Sequence, residues 1–166
     1  MRIIESIEVL NLPHVNQHKI ILQEGDEHLI LTGPNRTGKS AILHSLACGI
    51  NHEVKVISSI LTAEIITWDR NAFVDSVALL DMFKGKPIIL IIDDIEVGLD
   101  LMQQRTFISI ITSRYPNVQI IGSTHSPSIL AGAPKTSVYS LDNSMVLTDL
   151  ENMSVVDISD KLYGLC

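Results

Sequence analysis

Eight residues, Gly33-Pro34-Asn35-Arg36-Thr37-Gly38-Lys39-Ser40, constrain this chain more than any other stretch, because they complete the pattern G-x-x-x-x-G-K-[ST]. The pattern has chemical meaning only between a strand and a helix, and both flanks predict that context. Leu29-Ile30-Leu31 is a short apolar run ending at Thr32-Gly33, which reads as a buried strand entering a loop. Ser40 to Cys48, with Ala41, Leu43, Leu46 and Ala47, reads as a helix closed by Gly49. Gly33 and Gly38 let the backbone curl so that successive N–H groups face one concavity, and the helix start adds its positive dipole end. Such a concavity suits phosphate groups. Gly33, Pro34, Asn35, Arg36, Thr37, Gly38, Lys39, Ser40 and Ala41 are therefore the expected nucleotide-binding residues. Lys39 is expected to reach the β- and γ-phosphates, and the Ser40 hydroxyl to hold Mg²⁺.

Two later segments extend the same chemistry. Residues 88–94 read Ile-Ile-Leu-Ile-Ile-Asp-Asp, an aliphatic strand ending in two carboxylates. Asp93 is the expected carboxylate for Mg²⁺ or its waters. Asp94, one position beyond the strand end, is expected near the γ-phosphate, where a water must be oriented or deprotonated. Residues 120–130 read as a strand followed at once by Ser123, Thr124 and His125. There His125 can donate a hydrogen bond to the γ-phosphate and sense its presence. Lys39, Asp94 and His125 form the expected catalytic set. His14, His18, His28, His44 and His52 read as surface or satisfied loop histidines, and the Pro-interrupted His14/His18 pair has no neighbouring carboxylate to make a metal site.

The rest of the chain predicts short strands alternating with helices. Ile3 to Leu10 and Lys19 to Leu22 form an N-terminal antiparallel hairpin, and Val54 to Ile57 and Ala63 to Trp68 are further strands. Asn71 caps a helix over Ala72 to Phe83, whose Phe73, Val77, Leu80 and Phe83 share one face. Gly85 and Pro87 end it. A helix from Asp100 to Tyr115 stops at Pro116, a strand covers Val118 to Ile121, and a helical turn covers Ser126 to Leu130. Val138 to Leu141 and Met145 to Leu147 form a late hairpin, and the tail beyond predicts no element. The expected fold is α/β: a mostly parallel sheet flanked by helices with an antiparallel N-terminal β segment, in a single domain over residues 1–166.

Composition narrows the classes of function. The chain has 166 residues, 46% of them hydrophobic, enough to bury a core without disulfides or metals. Its net charge of −7 provides no overall electrostatic footprint for nucleic acid. One Trp, three Tyr and three Phe leave little material for base stacking. Glu5 and Glu8 interrupt what a signal peptide needs apolar, and the longest aliphatic run, Ile88 to Ile92, is far short of a membrane span of about 20 residues. Two cysteines, Cys48 and Cys166, offer no disulfide framework, so a reducing, cytoplasmic compartment is expected.

Taken together, the segments GPNRTGKS, IILIIDDIEVGLD and GSTHSP resemble, in order, the Walker A motif, the Walker B motif with its D-loop, and the switch histidine of the ATP-binding-cassette superfamily of P-loop ATPases. Within it the chain looks most like the soluble RecF-like, SMC-like and OLD-like branch. The resemblance implies ATP and Mg²⁺ as ligands, with Lys39 and Ser40 on phosphate and magnesium, and Asp93 supporting magnesium. It places Asp94 at the catalytic-glutamate position, makes Gly98 to Asp100 the D-loop, and makes His125 the γ-phosphate switch. MutS-type ATPases are similar at the first motif, but Gly98-Leu99-Asp100 departs from theirs. A small-molecule kinase would want several lid arginines, and only Arg70, Arg105 and Arg114 follow the loop.

The sequence also departs from that superfamily's pattern. Lys39 and Asp93 are 93 − 39 = 54 residues apart, where family members usually insert a helical lobe with an LSGGQ-like signature, and no Ser-Gly-Gly occurs. No convincing Q-loop glutamine is found. Asp94 is one methylene shorter than glutamate; Glu96 either compensates or is the acidic residue usual in this branch. Arg36 folds onto phosphate, reaches a partner or projects into solvent, with solvent ranked first. The expected activity is Mg-dependent ATP hydrolysis in an ATP-gated homodimer or complex, by analogy in DNA repair, chromosome maintenance or defence. The alternative is a hydrolysis-poor nucleotide-binding module that regulates a partner effector.

Overall fold

The computed structural model describes residues 1–49, 53–60, 62–68, 73–148, 150 and 153–164. The expected cap at Asn71, the helix start at Ala72, and Arg70, His52 and Cys166 lie outside them. In chain order the elements are β1 (Ile4–Val9), β2 (His18–Ile21), β3 (His28–Thr32), α1 (Lys39–Ala47), β4 (Val54–Ser58), β5 (Glu64–Thr67) and α2 (Phe73–Met82). There follow β6 (Ile88–Ile92), α3 (Leu101–Arg114), β7 (Val118–Ser123), α4 (Pro127–Ala131), β8 (Thr136–Ser140), β9 (Met145–Leu147) and α5 (Val155–Tyr163).

Every residue of β3, β6 and β7 is buried, as the uninterrupted aliphatic runs require of strands covered on both faces. They lie at the centre of a six-stranded sheet of order β5-β6-β7-β3-β8-β9, parallel throughout except for the antiparallel edge strand β9. Because successive side chains point to opposite faces, each strand feeds two cores. Ile88, Leu90 and Ile92 join Ile30 and Ile120 under α3, α4 and α5, while Ile89 and Ile91 join Leu29, Leu31 and Ile121 under α1. The second core is roofed by a three-stranded antiparallel sheet of order β2-β1-β4. The antiparallel N-terminal segment is thus a hairpin extended by a strand from beyond α1.

One buried side chain joins the two sheets. Gln119 on β7 accepts from the backbone N–H groups of Ile3 (3.0 Å) and Ile4 (2.6 Å) and donates through Nε2 to the Ile4 carbonyl at 3.0 Å. Its polar capacity is used where water has no access, which suits an amide at 0% exposure. The pairing of β1 with β4 shifts register between Ile4 and Ser6, beside that contact.

The tail, for which the sequence reading assigns no element, forms α5. Its signals are present in the sequence: Ser154 and Asp157 make a reciprocal capping box, Val155, Ile158 and Leu162 recur at helical spacing, and Gly164 closes the helix with φ 61°. Ile158 is fully buried and packs in the core shared with α3 and α4. Among the described residues no helix is long and apolar enough to cross a membrane.

His18 and His28, read as surface or satisfied loop histidines, are instead buried at the starts of β2 and β3. The Nδ1 of His28 accepts from the Ile120 N–H at 3.1 Å, and burial pushes the His28 pKa down to about 4. Protonation therefore opposes folding. The unfolded chain binds this proton below its ordinary value near 6.5 while the native state binds it only near 4, so stability is lost as pH falls through that window, by up to about 3 kcal/mol. Urea unfolding between pH 7 and pH 4 should show this loss. His28→Asn, which offers a non-titrating acceptor to Ile120, should flatten it; an unchanged pH slope in the variant would contradict the assignment.

Candidate functional site

The carboxyl ends of β3, β6 and β7 meet at one edge of the parallel sheet, the edge where open α/β sheets bind ligands. The loop between β3 and α1 carries Gly33 to Gly38, with Gly33 at φ 136°, Arg36 at 68° and Gly38 at 101°. Only glycine takes the first and third of these without strain. A cleft of about 290 Å³ opens over the loop, lined by Asn35, Arg36, Gly38, Lys39, Ser40 and Ala41 on one side and by Asp94 and His125 on the other. Ala41 and Asp94, 94 − 41 = 53 residues apart in sequence, thus share one cavity. Gly33, Pro34 and Thr37 shape the loop behind that wall, where Thr37 Oγ1 donates to the Pro34 carbonyl at 2.9 Å.

Lys39 is buried beneath the loop, and its Nζ donates to the carbonyls of Gly33 (2.9 Å) and Pro34 (3.0 Å). Burial lowers its pKa, and the negative charge of Asp94, Asp93 and Glu96, in that order, pulls it back up. The ammonium is thus bonded to two carbonyl oxygens, within the field of three carboxylates, on the wall of the cleft. Arg36 is exposed and lines the cleft.

The end of β7 is bonded group by group to the segment leaving β6. Ser123 Oγ donates to Asp93 Oδ1 and accepts from the Asp94 N–H at 2.8 Å. Thr124 Oγ1 and the His125 N–H both donate to the Glu96 carboxylate, at 2.6 and 2.9 Å. Ser126 Oγ donates to Gln104 Oε1 at 2.6 Å, and Gln104 Nε2 donates to the Leu99 carbonyl at 2.9 Å. Glu96 is accordingly engaged with the histidine segment, which leaves Asp94 as the carboxylate on the cleft wall. Asp93 sits behind that wall, its Oδ1 held by Ser123.

Asp94 adopts φ 49°, a left-handed conformation that aspartate tolerates far better than most side chains. The shorter acid at this position is thus matched to its backbone. His14, read from the sequence as a surface or satisfied loop histidine, is exposed on the loop between β1 and β2, and with Pro13 and Val15 it also lines the cleft. Its φ of 62° is left-handed too. The sequence signal for this third wall is only a Pro-interrupted gap between strands; its approach to the loop comes from the antiparallel sheet.

The first two motifs and the histidine segment occupy the ends of neighbouring strands, with β7 between β6 and β3. Against solved structures, the chain superposes on "an inward-facing conformation of a putative metal-chelate type ABC transporter" with a TM-score of 0.55 at 18% identity, covering 99% of this chain and 90% of that one. It superposes on the ADP conformation of an ATP-binding cassette of an ABC transporter with a TM-score of 0.60 at 10% identity, covering 95% and 98%. The chain has the fold of an ATP-binding cassette. A family described as "AAA domain, putative AbiEii toxin, Type IV TA system" matches residues 76–131 of this chain, from within α2 to the end of α4. That stretch holds Asp93, Asp94, Glu96 and His125. No curated protein sequence matches the chain.

The approach of the β1–β2 loop gives a direct test of the site's construction. A Cβ on Gly38 would lie 2.5 Å from Val15 Cγ2, on a backbone already at φ 101°. Gly38→Ala should destabilise the cassette by roughly 2–4 kcal/mol in chemical unfolding. Placing the same change in a Val15→Ala background should recover the steric part, so that the two substitutions are non-additive. Simple additivity would mean that Val15 does not press on the loop.

Proposed function

We propose that this cassette binds Mg·ATP in the cleft over residues 33–41 and hydrolyses it to ADP and phosphate. The observation that carries the reading is the convergence of Lys39, Asp94 and His125 on one cavity at the carboxyl edge of a parallel sheet. The loop N–H groups and the α1 N-terminus would receive the phosphates. Lys39 Nζ would exchange the carbonyls of Gly33 and Pro34 for β- and γ-phosphate oxygens, so its ammonium is neutralised by ligand rather than by loop. Ser40, in the first turn of α1 on the cleft wall, and Asp93, at the end of β6, are the residues that would hold Mg²⁺. When bound, Mg²⁺ neutralises charge on the β- and γ-phosphate oxygens.

Asp94 would orient a water in line with the γ-phosphorus and accept its proton as the new P–O bond forms and the bond to the β-bridging oxygen breaks. His125 would donate a hydrogen bond to a γ-phosphate oxygen, which ties the histidine segment to the presence of the third phosphate. The segment 93–100 carries exposed Val97 (44%), Leu101 (72%) and Met102 (73%) at its end and the start of α3. Such exposed apolar side chains support assembly with a protein partner or a second copy. Glu96 and the Thr-His-Ser-Pro run favour the RecF-, SMC- or OLD-like branch, and with it a complex in DNA repair, maintenance or defence. Given the net charge of −7, DNA contact would fall to a partner.

A second reading is a nucleotide-binding module that hydrolyses poorly and regulates an effector. Asp94 favours it: a short carboxylate in a left-handed turn stands further from the γ-phosphate than glutamate would. Mg·ATP binding and turnover by wild type, Lys39→Ala and Asp94→Asn separate the two. Asparagine tolerates the same left-handed backbone, so the second variant removes the base without adding strain. Hydrolysis predicts a fall in kcat of about 10²–10⁴-fold for Asp94→Asn with ATP binding retained, and loss of binding for Lys39→Ala. Tight binding with no wild-type turnover supports the regulatory module. Binding that is indifferent to Lys39 contradicts both.

A further inference from the structure

The histidine segment is held from a direction that no nucleotide motif accounts for. Tyr163, the last residue of α5, donates its hydroxyl proton to the carbonyl oxygen of His125. The N–H of the same residue donates to Glu96 Oε1 at 2.9 Å. Both backbone polar groups of His125 are therefore taken by side chains, one from the segment after β6 and one from the far end of the chain. The imidazole stays on the cleft wall.

The helix that carries Tyr163 is anchored along its length. Its N-terminus is closed by the Ser154–Asp157 capping box, Ile158 is buried against α3 and α4, Lys161 Nζ donates to the Thr148 carbonyl at 2.6 Å, and Gly164 N–H returns to the Asp160 carbonyl at 2.8 Å. Tyr163 is 44% exposed, and Val156, earlier on the helix, is 68% exposed. Burial, and then the negative charge of Glu96, raise the Tyr163 pKa, which keeps the hydroxyl a donor at ordinary pH. One end of the helix thus touches the switch while part of its surface stays open to solvent.

We propose that Glu96 and Tyr163 form a two-sided clamp on the backbone of His125, and that α5 through this clamp sets the position of the histidine that faces the γ-phosphate. Both are positioning residues. Neither lines the cleft, so a shift of α5 would move His125 without touching the phosphate loop. The catalytic part of the proposal rests on ATP hydrolysis in the cleft; the clamp itself does not.

The test uses Tyr163→Phe, which removes one hydroxyl and keeps the ring, with Glu96→Gln and the double variant. In the nucleotide-free full chain, amide hydrogen exchange over residues 123–128 reads the clamp directly. Loss of one such bond should speed exchange of that segment about tenfold, with the melting temperature of Tyr163→Phe near that of wild type. In steady-state ATP hydrolysis the same variant should lose about tenfold in kcat with KM for ATP within about twofold, because the phosphate loop is untouched. The double variant should lose less than the product of the single effects, since both act on one peptide unit. Unchanged exchange in Tyr163→Phe, or a raised KM at constant kcat, overturns the proposal. If wild type shows no turnover, the hydrolysis reading fails by itself, and the exchange measurement still supports or overturns the clamp.

Discussion

Three neighbouring strands, β6, β7 and β3, run parallel, are buried on both faces and stop at the same sheet edge, and the rest of the site depends on that constraint. Once their register is set, the backbone N–H of Thr124 reaches the Leu31 carbonyl at 3.1 Å and that of Ile95 reaches the Ser123 carbonyl at 2.9 Å. The ladders thereby continue one step past the strands. The loop of residues 33–38, the two aspartates and the histidine segment are the chain leaving those three ends. Gly122 makes the crowding possible, because a Cβ there would lie 2.9 Å from the Ile92 carbonyl oxygen.

The antiparallel sheet serves the site from outside. Gln119 couples β1 to the middle strand of the parallel sheet, and the β1–β2 loop then brings Pro13, His14 and Val15 onto the cleft. His14, Arg36 and Asp94 all hold left-handed backbone around that cavity, although none is glycine. Strained conformations gathered at one cavity are characteristic of sites where geometry is maintained at some expense of stability. The surrounding packing, with Val15 against Gly38 and Ser123 against the Asp94 N–H, is what maintains it.

Much of this was legible in the sequence because the signals are local. The run GPNRTGKS between an apolar strand and a helix, the strand ending at Asp93, and the Ser-Thr-His sequence after β7 each predict their own element, and the structure brings Lys39, Asp94 and His125 to one cleft. What escaped is tertiary. His14 reaches the site through the roof sheet, and His28 is interior because β3 begins one residue before its apolar run. Glu96 could compensate for Asp94 or not on sequence grounds; its bonds to Thr124 and His125 are set by the packing of two strand ends. Helix α5 was missed although its capping box and i, i+3, i+7 apolar spacing at Val155, Ile158 and Leu162 are visible, because a nine-residue element carries few repeats of its period.

We propose that the cavity at the ends of these three strands receives the terminal phosphate of ATP. A crystal structure of the full chain with Mg²⁺ and a non-hydrolysable ATP analogue tests it most directly. The expected structure has the β- and γ-phosphates in the loop of residues 33–40, Lys39 Nζ moved from the Gly33 and Pro34 carbonyls to phosphate oxygen, and Asp94 and His125 on either side of the γ-phosphate. An analogue bound away from that loop, or bound there with Lys39 still on its two carbonyls, would contradict it.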